Sequence, residues 1–208
     1  MDKLLRFTKI AALCCLILAM INAILGYTPY EWWNSKITTF VYAAIAISEW
    51  LLIILFCSMI YNNSVVKSPL RYPSLLGLIS AIVGVVIRTF MQVLSSMQVF
   101  EIIDAVEYSI YTTCSCVDSV VIVGILISFI WMSKYMKGND TKTFCISYLI
   151  FLSMKILFSW FGFRVLVVYF NDYDIISSAY RMISVTISTL TTLALSIFYY
   201  SFSKMLNK

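Results

Sequence analysis

The 208-residue chain contains no histidine. That excludes histidine-based triads, HExxH zinc sites, bis-histidine haem and imidazole proton relays together. Charge is scarce, at 12% of residues against about 25% in a soluble domain. The three prolines, Pro29, Pro69 and Pro73, fall at expected connections, so no apolar stretch should carry a proline kink. Cys14, Cys15, Cys57, Cys114, Cys116 and Cys145 form no C-x-x-C pair, which argues against thiol oxidoreductase chemistry. All six lie in apolar runs, where a free thiol packs as a small hydrophobe. No metal or cofactor is expected from this inventory. The phosphate-cradling GxxxxGK[ST] pattern is missing, so any ATP used would be hydrolysed by another protein.

What is present is oil. Hydrophobic residues make up 62% of the chain, and the mean hydropathy is +0.92. A soluble globule of this length cannot bury that much apolar surface. The expected fold is therefore all-α: a polytopic transmembrane helical bundle forming one domain in the lipid bilayer. A hydrocarbon core about 30 Å thick takes about 20 apolar residues per helix. Six stretches qualify, at 8–25, 37–61, 74–97, 109–132, 144–170 and 182–202. The first has the basic start of a signal peptide, at Lys3, Arg6 and Lys9. Its apolar run is longer than a usual leader core and no A-x-A site follows, so a retained helix is expected. The fifth is long enough to tilt or to emerge early. Trp32 and Trp33 in the first connection have the composition of interface anchors.

The net charge of +5 is a matter of orientation rather than a sign of nucleic-acid binding. With six crossings, Lys3, Arg6, Lys9, Lys67, Arg71, Lys134, Lys137, Lys142, Lys204 and Lys208 fall on one side. Only Lys36 and Arg181 fall on the other. The positive-inside rule then places both termini in the cytoplasm. Tyrosine, isoleucine and lysine usage with compact loops suggests a bacterial inner membrane.

Besides Lys9 at the edge of the first, five ionisable residues lie inside the apolar stretches: Glu49, Arg88, Asp118, Lys155 and Arg164. Each costs about 2.5–3.5 kcal/mol on insertion scales. At a rise of about 1.5 Å per residue, Arg88 lies about 21 Å from the inner end of the third stretch. Asp118 lies about 13 Å from the outer end of the fourth. In a ~30 Å core those depths agree, so consecutive antiparallel helices should join Arg88 to Asp118. Glu49 and Lys155 also fall near the midplane and would pair if their helices were neighbours. Arg164 lies near the outer end and is expected to snorkel. Gly84, Arg88, Gln92 and Ser95 share one helical face; so do Tyr111, Ser115 and Asp118, and so do Lys155, Ser159 and Gly162. Two readings follow. Glu49, Arg88, Gln92, Asp118 and Lys155 line a solute or ion pathway, with Tyr42, Trp50 and Trp160 as aromatic walls. Alternatively, the charges are structural pairs that set the helix register.

Two stripes of small residues recur every fourth position. One is Ala11, Cys15, Ala19 and Ala23, the other Ser184, Ser188, Thr192 and Ser196. Such faces let helix backbones approach closely, either within the chain or against a partner protein. In helix count, orientation and the first stripe the chain resembles the six-helix substrate-capture subunits of vitamin transporters, an architectural likeness with no shared motif. That likeness implies docking of another membrane subunit on the helix 1 face. Residues 99–110 alternate apolar and acidic positions, as in a segment lying on the outer surface.

The leading expectation is a small polar-solute transport protein, or the substrate-binding membrane subunit of one. The alternative is an accessory, sensor or effector membrane protein that acts through a protein partner. An oligomeric ion channel comes third, and the lack of a TVGYG-like filter argues against a potassium pore. Catalysis is not expected: no paired aspartates occupy adjacent helices, and Lys155 is the one base within reach of the many serines.

Overall fold

The computed structural model describes residues 2–27, 36–64, 68–96, 104–136, 138–170 and 173–206. Among these nearly every residue is helical, apart from short turns, and none is in a strand. The helices are α1 (Asp2–Gly26), α2 (Lys36–Asn63), α3 (Arg71–Ser96), α4 (Asp104–Ser133), α5 (Asn139–Leu157), α6 (Phe163–Tyr169) and α7 (Tyr173–Leu206). A five-residue π-helical turn, Phe158–Gly162, joins α5 to α6. Helix is the only open-ended way for a chain in hydrocarbon to satisfy its own backbone, so the apolar runs leave no alternative.

Five segments are long and apolar enough to cross a bilayer: Lys3–Gly26, Arg71–Met91, Cys116–Ser133, Asn139–Gly162 and Asp174–Leu206. The protein is thus built as a multi-pass membrane protein. Six crossings were expected. The remaining one corresponds to α2, which is 28 residues long and apolar along Ile47–Asn63. Several helices start earlier than composition suggests. α1 begins at Asp2, α4 at Asp104 and α7 at Tyr173. Hydropathy marks where lipid begins, whereas backbone hydrogen bonding carries a helix on into the interface. The connection expected over 171–179 is therefore largely the first two turns of α7. The surface segment expected at 99–110 is helical from Asp104 onward, and its earlier residues, like Trp32 and Trp33, lie outside the described residues. Pro73, expected in a loop, occupies the first turn of α3, where a missing N–H costs little.

The fifth stretch is not one rod. α5 ends at Leu157, the π-turn follows, and α6 ends at Phe170 in extended conformation (φ −124°, ψ 135°). The sequence FSWFG explains the break. A Cβ at Gly162 would lie 2.6 Å from the Phe158 ring, so only glycine lets that ring fold back over its own turn. Phe158 then stacks on Tyr180 of α7, centroids 5.0 Å apart. The apolar crossing ends at Gly162, which leaves Arg164 beyond it and exposed, as snorkelling requires.

The chain divides into two compact units, Met1–Thr39 with Ser133–Lys208, and Phe40–Met132. In the first, α7 packs along both α1 and α5. Ala11, Cys15 and Ala19 of α1 are wholly buried, and the adjoining Ala12 carbonyl accepts a 2.6 Å bond from Ser196. Asn22 Nδ2 donates to Thr189 Oγ1 at 3.0 Å, and the Tyr27 and Thr186 hydroxyls meet at 2.8 Å. Arg181 Nη2 donates to the Gly26 carbonyl at 3.3 Å, placing a cation on the negative end of α1. The small-residue face of α1 is therefore the seam with α7. The expectation that Ala11, Cys15, Ala19 and Ala23 receive another subunit is corrected here, because Ala11, Cys15 and Ala19 have no surface left to offer. The α7 stripe serves two neighbours. Positions four apart drift by about 40° round a helix of 3.6 residues per turn. Ser196 thus faces α1, while Ser188 faces Lys155 of α5. Thr191 and Thr192 return their hydroxyls to the carbonyls four residues back, so burying them leaves no oxygen unmatched.

The second unit comprises α2, α3 and α4. Its core holds Ile53, Phe56 and Cys57 from α2, Ala81 from α3, and Ile125, Phe129 and Met132 from α4. Phe56 and Phe129 stack with centroids 6.1 Å apart. Small residues bring α3 and α4 together: Gly77 lies against Ser128, and Gly124 against Ser80. Ser128 Oγ donates to the Pro73 carbonyl at 2.6 Å, fixing the axial register of the two helices.

Candidate functional site: an ion pair within apolar helices

Three helices of the second unit each contribute one side chain to a single cluster. Arg88 (α3) donates from Nε to Asp118 Oδ1 (α4) at 2.9 Å and from Nη2 to Oδ2 at 3.1 Å. Behind the guanidinium, the Trp50 ring (α2) lies 4.4 Å from Arg88 Cζ. Both charged residues fall inside crossing segments. The pair expected from depth is present.

The geometry follows from register. Pro73 and Ser128 touch, so they mark a common level. From there Arg88 lies about 22 Å along α3, and Asp118 about 15 Å along α4. Helical side chains lean toward their own N-terminus. Arg88 therefore reaches back down α3 while Asp118, on an antiparallel helix, leans up to meet it. One turn before Arg88, Gly84 makes room for the indole, since a Cβ there would lie 2.6 Å from Trp50 Cζ3. Trp50 is 5% exposed and fixes where the guanidinium can stand.

A two-pronged arginine–carboxylate bond is among the stronger polar contacts a protein makes, and an aromatic face over the cation adds about 0.5–2 kcal/mol. Together they offset the cost of holding two charges among apolar helices. The cluster is not sealed. The Arg88 and Asp118 side chains remain 19% and 27% exposed. Chemically it is a paired donor fork and acceptor: the fork suits a carboxylate or phosphate, and the carboxylate suits an ammonium.

The other expected residues are distributed as follows. Glu49 is half-buried on α2, and as the residue before Trp50 it points about 100° away from it. Gln92 lies one turn beyond Arg88 on α3, but its side chain is outside those described, as are those of Ser95, Tyr42, Tyr111 and Ser115. Lys155 belongs to the first unit, where Nζ donates to Ser188 Oγ at 3.2 Å. Trp160, expected as an aromatic wall, lies exposed in the π-turn of that unit. A serine held by a lysine is an arrangement of nucleophile and base. Ser188, however, sits within an unbroken helix, whose ladder engages its N–H and leaves no backbone donor for an oxyanion.

Sequence reasoning missed two features. One is the seam of Gly77, Ser80, Gly124 and Ser128, whose signal was the glycine and serine spacing on consecutive helices. The other is Arg71, which donates to the Tyr61 hydroxyl at 3.2 Å and stands 4.8 Å from that ring's centroid. No metal-binding group of three or more suitable residues occurs among the described residues. Comparison with known protein families, with curated proteins and with solved structures gives no match.

Proposed function

We propose that this multi-pass membrane protein moves or captures a small polar solute, with the Arg88–Asp118 cluster lining the solute's path. The observation that carries the reading is an ion pair that lies within apolar crossings and keeps part of its surface open. Ionised groups facing acyl chains are costly, so open charged surface at that depth belongs beside water or other polar groups. Glu49 and Gln92, on helices of the same unit, are the further candidates for the pathway. The ten-to-two distribution of Lys and Arg supports cytoplasmic termini. A bacterial inner membrane is the proposed location. The test is uptake into liposomes carrying the purified protein. Asp118→Asn and Glu49→Gln are expected to abolish uptake while the protein still inserts and accumulates. Variants that insert and still transport at the wild-type rate would refute the reading.

One observation favours a second reading. Arg88 is gripped by a carboxylate and an indole at once, which is also how a register lock is built. The protein would then be an accessory or effector subunit acting through a protein partner. Reversing the pair (Arg88→Asp with Asp118→Arg) separates the two readings. A lock tolerates the reversal with function intact, whereas a solute site does not.

A further inference from the structure

We infer that the solute is a small zwitterion, carrying both a carboxylate and an ammonium, and that it binds by exchanging into the Arg88–Asp118 pair. This rests on the transport reading above.

Arg88 and Asp118 are not equally held. The guanidinium has an indole behind it at 4.4 Å, in a place kept open by Gly84. Among the described residues the Asp118 carboxylate bonds to Arg88 alone, and it is the more exposed of the two, 27% against 19%. When the pair opens, Arg88 stays and Asp118 swings away. What enters must leave neither charge stranded among apolar helices, because an unpaired ion there is far costlier than a paired one. An anion satisfies Arg88 and strands Asp118. A cation does the reverse. A neutral polyol must displace a charge-assisted two-pronged bond with weaker neutral ones. A zwitterion alone replaces both halves: its carboxylate takes the fork of Arg88 and its ammonium takes Asp118. The exchange carries no net charge into the membrane, and no covalent bond forms or breaks.

The experiment uses the full-length protein in lipid nanodiscs. Binding is measured for the twenty amino acids, for the amines left when each loses its carboxyl group, for the acids left when each loses its amino group, and for glycerol and sorbitol. At least one amino acid is expected to bind at least tenfold more tightly than both its amine and its acid. In Asp118→Asn the order should invert between amino acid and acid, because the ammonium has lost its partner while the fork remains. A lock that merely holds helices together would not produce that inversion. If Asp118→Asn fails to fold, the wild-type comparison decides alone. Should polyols, lone amines or lone acids bind as well as any amino acid, the zwitterion inference falls and transport stands. Should no compound bind, and uptake of every tested solute match protein-free liposomes, the transport reading falls with it.

Discussion

Truncating Asp118 to alanine leaves a guanidinium in the second unit with an indole behind it and no anion in front. Removing one partner of a buried pair costs about 3–5 kcal/mol. Here the partners keep 19% and 27% of their side-chain surface, and the Trp50 face at 4.4 Å still attracts the cation. The expected loss is therefore smaller, about 2–3 kcal/mol. Replacing both residues together, Arg88→Met with Asp118→Leu, removes the stranded charge and fills the space. That double variant should recover most of the loss, since apolar replacement of a buried pair is often neutral. The measurement is reversible unfolding in mixed micelles for wild type, Asp118→Leu, Arg88→Met and the double variant, closed as a thermodynamic cycle, with Asp118→Ala measured beside it. A coupling of at least about 1.5 kcal/mol is expected between residues this close. Coupling near zero, or a double variant no more stable than Asp118→Ala, would refute the view that the two charges neutralise one another.

Gly84→Leu should force the indole off its seat, since even a Cβ would stand 2.6 Å from Trp50; a destabilisation of about 1–3 kcal/mol is expected, read from thermal unfolding. Ser128→Ala removes the 2.6 Å bond to the Pro73 carbonyl and should cost about 1 kcal/mol in the same assay. Ala19→Leu overpacks a position with no exposure and should weaken the α1–α7 seam by about 1–3 kcal/mol, whereas the neighbouring exposed position, Met20→Leu, should be neutral. Cysteine labelling from either side of sealed vesicles should find positions 134 and 204 reachable from the cytoplasm alone and position 174 from outside alone.

The Arg88–Asp118 pair was legible because depth in a bilayer is a ruler: two charges on consecutive antiparallel helices must sit level or stay unpaired. Arg164 was legible for the same reason. Trp50 was named only as an aromatic wall, because depth says nothing about which way a ring faces. Its seat became visible through Gly84, whose role is to be absent. The α1 stripe of alanines announced close packing but not with whom, since the same small residues suit an internal helix or an external one. The bend at 158–162 was hidden for a different reason. Hydropathy runs unbroken through FSWFG, and the π-turn arises from one ring folding over one glycine, a contact that composition does not register. Helix starts were misplaced for lack of any signal in apolar content, which measures lipid contact rather than backbone bonding.

The hydrogen bond between Ser196 and the Ala12 carbonyl spans 184 positions of chain. At a synthesis rate of about 5–20 residues per second, the amino-terminal helix waits on the order of ten to forty seconds before its true companion leaves the ribosome. During that interval Asn22, later matched by Thr189, must find water, lipid headgroups or a chaperone. The helices α2, α3 and α4 wait far less, for their longest-range pairing is that of Phe56 with Phe129. Assembly of this protein should therefore finish at its two ends, and a chain stalled before residue 185 would leave an orphaned first helix for the quality-control machinery of the membrane to recognise.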